Sequence, residues 1–275
     1  MSDDGVACPQ IGEASWREID RSVARVAYRA PSPGDDKYSR GVVSLVTGSA
    51  DYPGAGVLSA AGAFGGCVGL VRYLGGAKKL VLQRFPEVVC RAGRADACVF
   101  GSGWGGDLVE SLRGVRSPVV VVDAGAMEHF DLWQRFPMRV FTPHHGEAAR
   151  LLEVEPGRVD DDPQWAAAKL VSALGGVVVL KGATTLVAAP SCVDNPWFYS
   201  ARSHWAATAG SGDVLAGLIG ATIAGMKAAD EASVLSAVLG SVWVHAQAAW
   251  STKPILASQI ASEIPSVIGG LLCGS

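Results

Sequence analysis

The chain has 275 residues, of which 49% are hydrophobic and 18% charged, with a net charge of −3. That composition supplies one large buried core, and it excludes the basic footprint of a nucleic-acid binder and the polar make-up of a disordered chain. Six scattered cysteines with no C-x-x-C pair suit a reducing compartment, and Asp3-Asp4 replaces an apolar signal core, so a cytoplasmic location is expected.

Residues 1–36 read as a polar leader, with an amphipathic piece at Trp16–Tyr28 and a linker at Pro31-Ser-Pro-Gly-Asp-Asp36. Residues 37–275 read as one domain. Its first strand is expected at Gly41–Thr47, followed by a small-residue helix at Ala55–Gly66. Further strands are expected at Gly69–Leu74, Ala97–Phe100, Val119–Asp123, Val140–Thr142 and Val177–Leu180, with Thr185–Ala189 closing a hairpin. Helices are expected at Asp107–Gly114, Ala126–Gln134, Gly146–Leu152 and Pro163–Leu174. The last third reads as helices over Asp213–Met226, Asp230–Trp250 and Ala257–Gly269. Continuous apolar runs such as Val119–Val122 mark strands covered on both faces, which predicts an α/β fold with a mostly parallel sheet between helical layers. Ala232–Thr252 is uncharged and long enough to span a membrane. Ser233, Ser236, Ser241, His245 and Gln247 within it predict a buried helix instead.

The most informative stretch is Ala207-Thr-Ala-Gly-Ser-Gly-Asp-Val-Leu-Ala-Gly217. A small-residue loop entering a helix leaves backbone N–H groups free, and the helix dipole adds positive potential, so Gly210, Ser211 and Gly212 form an anion cradle. Asp213 at its rim is either a helix cap or a base that takes a proton from an attacking hydroxyl. Gly101-x-Gly103-x-Gly105 follows a strand, without dinucleotide-fingerprint spacing. Asp123 ends a hydrophobic strand and needs a partner, whether a metal, a loop or a structural hydrogen bond. Thr142-Pro-His144-His145-Gly-Glu147 lacks metalloprotease geometry, so no metal site is assigned; His144 is a ligand-contact candidate. Lys181-Gly182-Ala183-Thr184-Thr185 could hold a nucleotide phosphate, or be an ordinary strand end beside a hairpin.

These motifs, together with Tyr38-Ser-Arg-Gly41 and Tyr52-Pro-Gly-Ala55, occur in one order that resembles the ADP-dependent NAD(P)H-hydrate dehydratases, a branch of the ribokinase-like superfamily. The resemblance covers roughly residues 37–270. It implies a ribokinase-like α/β fold and removal of water from the 6-hydroxy adduct of NADH or NADPH, with ADP (or ATP) consumed and Mg²⁺ accompanying it. It implies Asp213 as catalytic base and Ala55, Gly103 or its neighbour Gly105, His144 and Asp213 as hydrate-binding positions. The nucleotide-binding positions it implies are Lys181, Gly182, Ala183, Thr184, Thr185, Gly210, Ser211 and Gly212, with His245 structural. It further implies a homo-oligomer, a tetramer by analogy, and a separate epimerase in the same pathway; the leader is too short to supply that domain. The chain departs from the family pattern at Gly125, His145, Ser203–Ala206 and Trp250. A small-molecule kinase and a non-catalytic nucleotide binder of the same superfamily are the alternative readings.

Overall fold

The computed structural model describes residues 16–106 and 108–273. Nine strands form one sheet: β1 (Arg17–Glu18), β2 (Val42–Val46), β3 (Leu70–Tyr73), β4 (Ala97–Phe100), β5 (Val119–Val122), β6 (Met138–Phe141), β7 (Val177–Leu180), β8 (Thr184–Ala188) and β9 (Trp197–Ser200). Their spatial order is β1-β9-β8-β7-β6-β5-β4-β2-β3. All run parallel except β8, which pairs antiparallel with both β7 and β9.

The helices are α1 (Arg21–Arg25), α2 (Pro53–Gly65), α3 (Lys78–Arg84), α4 (Leu108–Ser111), α5 (Phe130–Trp133), α6 (His145–Leu151), α7 (Pro156–Asp161), α8 (Pro163–Leu174), α9 (Ser211–Met226), α10 (Glu231–Ala248) and α11 (Ala257–Cys273). Two helical layers sandwich the sheet, and the strands show why their sequences are unbroken apolar runs. In β5, Val119 and Val121 join the core packed by α2, α9 and α10. Val120 and Val122 join the opposite core, packed by α5, α6 and α8. β7 divides in the same way, so alternation is lost because both faces are dry. Among the described residues no helix is long and apolar enough to cross a membrane. The expected buried helix is α10.

Most expected elements are present, with shifted ends. The expected Ala126–Gln134 helix divides into a 3-10 turn over Ala124–Glu128 and α5, because His129 leaves helical geometry (φ −95, ψ 49). Four elements were not anticipated: α3, α7, and the strands β1 and β9 paired at one sheet edge. The described part of the expected leader is packed onto the domain. Ile19 is 1% exposed, and Ala24, Ala27 and Tyr28 are buried against the α10 side of the molecule. Asp20 caps α1 by accepting from the Val23 N–H (2.9 Å).

The chain passes from β2 outward to β3, then returns to lay β4 on the other side of β2. That reversal opens a crevice at the carboxyl ends of β2 and β4. The loops after both strands meet there, joined by the Gly48 N–H donating to the Ser102 carbonyl (2.7 Å).

Candidate functional site

Two cavities open along the carboxyl edge of the sheet and share one wall, the start of α9. The first, about 690 Å³, lies in the β2/β4 crevice and is lined by Tyr52, Ala55, Gly103, Trp104, Gly210 and Asp213 among others. The second, about 510 Å³, is lined by Lys181, Thr185, Tyr199, Ser211, Gly212 and Ala246 among others.

The shared wall follows from local sequence. Gly210 is the N-cap of α9 with φ +90, a left-handed conformation that disfavours any residue with a Cβ. It has no side chain to cap the helix; the Ser211 N–H donates to the Thr208 carbonyl (3.3 Å), and the Gly212 and Asp213 N–H groups of the first turn are the ones offered to an anion. Asp213 is the third helical residue and not the cap, which removes one of its two readings. Burial first, and the nearby Asp123 charge second, push its pKa up to about 6, against a lowering pull from Lys181. A carboxylate with that affinity can hold and release a proton near neutrality.

Asp123 is 3% exposed and takes the structural role among its alternatives. It accepts from Ser102 Oγ (2.7 Å), Thr142 Oγ1 (2.7 Å) and Lys181 Nζ (2.8 Å). Four neighbouring strand ends, β4 to β7, are thereby tied at one carboxylate. Burial opposes its charge, but the Lys181 ammonium and these hydrogen bonds hold it below the usual carboxylate range. Lys181 is correspondingly raised by Asp123, Glu147 and Asp213, although burial opposes its charge. Its backbone N–H donates to the Pro143 carbonyl (2.8 Å), which sets it level with His144 at the ends of β6 and β7.

His144 is the N-cap of α6: its Nδ1 accepts from the Glu147 N–H (3.2 Å), and Glu147 Oε2 accepts from the His144 N–H (2.8 Å). Its ring lines the second cavity, beside Lys181, and not the first. His245, on α10, also lines the second cavity. Burial pushes its pKa down to about 4, so its neutral ring donates from Nε2 to the Ser211 carbonyl (3.0 Å).

The remaining expected residues divide clearly. Ala55, Gly103 and Asp213 share the first cavity, whereas Gly105 is exposed and lines neither. Lys181, Gly182, Ala183, Thr185, Ser211 and Gly212 share the second. Thr184 points to solvent, bonded to Ser200 Oγ (3.1 Å), and Gly210 opens on the first cavity. Sequence reasoning missed Trp104, held against Phe100 (centroids 5.7 Å apart), and Tyr199, whose hydroxyl accepts from Gln247 Nε2 (2.7 Å). A bulky aromatic between Gly103 and Gly105 was the available signal for Trp104. Tyr199 carried none, because the strand that presents it was not anticipated.

A family model described as NAD(P)H-hydrate dehydratase matches residues 43–265. The chain belongs to the NAD(P)H-hydrate dehydratase family. It is 42% identical over 226 residues to a bifunctional NAD(P)H-hydrate repair enzyme of Mycobacterium tuberculosis, covering 76% of this chain and 46% of that one. The chain therefore spans about half the length of the bifunctional relatives it matches. It is 31% identical over 278 residues to the ADP-dependent (S)-NAD(P)H-hydrate dehydratase of Neisseria meningitidis serogroup B, covering 90% of this chain and 86% of that one. Its fold is that of the ADP/ATP-dependent NAD(P)H-hydrate dehydratase from Bacillus subtilis, a structure co-crystallised with ATP/Mg²⁺: TM-score 0.78 at 24% identity, covering 94% of this chain and 99% of that one. A ribokinase-like superfamily protein from Enterococcus faecalis superposes equally well, with a TM-score of 0.78 at 20% identity.

Proposed function

We propose that this chain catalyses the ADP-dependent dehydration of the 6-hydroxy S-hydrate of NADH or NADPH, restoring the reduced nicotinamide nucleotide and giving AMP and phosphate. The reading is carried by one observation: the start of α9 presents Asp213 to one cavity and the Gly212 backbone to the other. The hydrate belongs in the Asp213 cavity and the nucleotide in the Lys181 cavity. Hydroxide is a poor leaving group, whereas phosphate is a good one. Asp213 takes the proton of the ring hydroxyl as that oxygen attacks the terminal phosphoryl group of ADP. The free N–H groups at the start of α9 hold the charge on the phosphoryl oxygens. The ring nitrogen's lone pair then expels phosphate, and loss of a proton from the neighbouring ring carbon restores the double bond.

ADP is the proposed phosphoryl donor and ATP the alternative; the Bacillus subtilis protein is named for both. Mg²⁺ would arrive on the nucleotide's own phosphates. Asp123 is already committed to three donors, Gly125 adds no carboxylate, and among the described residues no group of three or more His, Cys, Asp or Glu could hold a metal. The steps above belong to the chain's side chains and backbone. A cytoplasmic homo-oligomer, taken as a tetramer, is part of the proposal. So is a separate epimerase acting on the same hydrate, a partner activity suggested by the bifunctional relatives.

The test is recovery of reduced-nicotinamide absorbance from hydrated NADH. Recovery should require ADP or ATP and be lost in Asp213→Asn. Equal recovery without nucleotide would overturn the proposal, and a phosphorylated product that accumulates without elimination would favour a kinase.

A further inference from the structure

We infer that the buried Asp123–Lys181 ion pair is a positioning pair for Asp213: it lies behind the first turn of α9 and governs how tightly that carboxyl group holds its proton. The inference gives the pair a catalytic meaning through the proposed dehydratase reading, on which that meaning rests.

Asp123 lines neither cavity, so it is not placed to touch a ligand. Its role must pass through what it holds. Lys181 Nζ, 2.8 Å from Asp123, also comes within 3.2 Å of where a Cβ on Gly212 would stand. The ammonium is therefore wedged between Asp123 and the backbone next to Asp213. A buried ion pair is a weak way to stabilise a fold, since well-packed apolar residues do as well. Here it sets two opposed charges beside a third group that must titrate. The negative charge of Asp123 raises the proton affinity of Asp213, and the positive charge of Lys181 lowers it. Removing one member leaves the other unopposed, so the two removals move Asp213 in opposite directions.

Other titratable groups meet the same space. Glu147 and His144 on α6 are joined in a capping box, His245 on α10 is neutral, and Asp51 lies in the loop after β2. None of these is altered by the test. The full chain, labelled with ¹³C-carboxyl aspartate, is titrated by NMR, and the Asp213 signal is assigned by its loss in Asp213→Asn. Asp123→Asn should lower the Asp213 midpoint by about one pH unit or more. Lys181→Gln keeps a donor for Asp123 but removes the charge, and should raise the midpoint. Shifts of opposite sign support the inference. An unmoved midpoint, or two shifts of the same sign, overturns it, because a merely structural loosening has no reason to change sign. Should Asp123→Asn fail to fold, the Lys181→Gln titration decides alone: a rise supports the inference and anything else overturns it. The acid limb of hydrate turnover in Asp123→Asn should follow the NMR midpoint downward. Opposite shifts in a protein that turns over no hydrate would sink the dehydratase reading and leave the pair's action on Asp213 standing. Turnover with unmoved midpoints would do the reverse.

Discussion

A carboxylate in the first turn of a helix is normally at ease, because free N–H groups and the helix dipole favour its charge. Asp213 stands in that position, yet its pKa is pushed up to about 6, by burial first and by Asp123 second. The surroundings thus outweigh the dipole. A base must be ionised to accept a proton, so kcat/KM for the hydrate should rise with pH through an acid limb near pH 6 and level off above it. A limb near the ordinary carboxylate range, around pH 4, would show that Asp213 is not the group whose ionisation matters. Asp213 was legible in the sequence because the cradle, the helix start and the carboxylate are contiguous. Its elevated proton affinity was not. It comes from burial first, then from Asp123, which raises it, against Lys181, which lowers it; these two lie 58 residues apart and meet only through the pairing of β5, β6 and β7.

The site depends on how closely α9 sits on α2, since Ala55 and Asp213 come from these two helices. Small residues make that approach possible. A Cβ on Gly62 of α2 would lie 2.1 Å from the Val214 carbonyl oxygen, and one on Gly217 of α9 would lie 2.0 Å from the Ser59 carbonyl oxygen. Both obstacles are backbone, which cannot step aside as a side chain can. Gly217→Ala should therefore force the helices apart and cost on the order of 3 kcal/mol, read as a lower urea midpoint with an unchanged m-value. A loss below about 0.5 kcal/mol would mean the helix pair is looser than this packing requires. Whole elements were readable where one signal dominated. β5 and β7 are doubly buried valine-rich runs, and α8 opens with Pro163 and ends at Gly175 in the left-handed conformation. β1, with two residues, has no periodicity to read. β9, Trp197–Ser200, follows Pro196 and is fixed by pairing with β8, not by its own pattern.

At the scale of the whole molecule, the groups flanking the start of α9 impose opposite pH dependences on stability. Asp213 binds its proton more tightly when folded (about 6) than its ordinary value of 3.8, so between about pH 4 and 6 the native state holds the extra proton. On its own this makes the fold more stable as pH falls through that window. His245 is the reverse: its folded value is about 4 against an ordinary 6.5, so the unfolded chain holds the extra proton and stability falls with falling pH over nearly the same range. The two slopes nearly cancel, because the start of α9 has a group that titrates on one side and a buried histidine that stays neutral on the other. Asp213→Asn removes one side of the balance. The variant should be more stable than wild type at pH 8 by on the order of 2 kcal/mol, because the cost of burying an ionised carboxylate is gone. Its advantage should shrink as pH falls from 6 toward 4, where the uncompensated protonation of His245 costs the variant about 1 kcal/mol per pH unit. Urea midpoints measured for both proteins across pH 4–8 check this directly. Two parallel curves would show that Asp213 does not titrate near 6, and the proton-accepting role proposed for it would lose its physical basis.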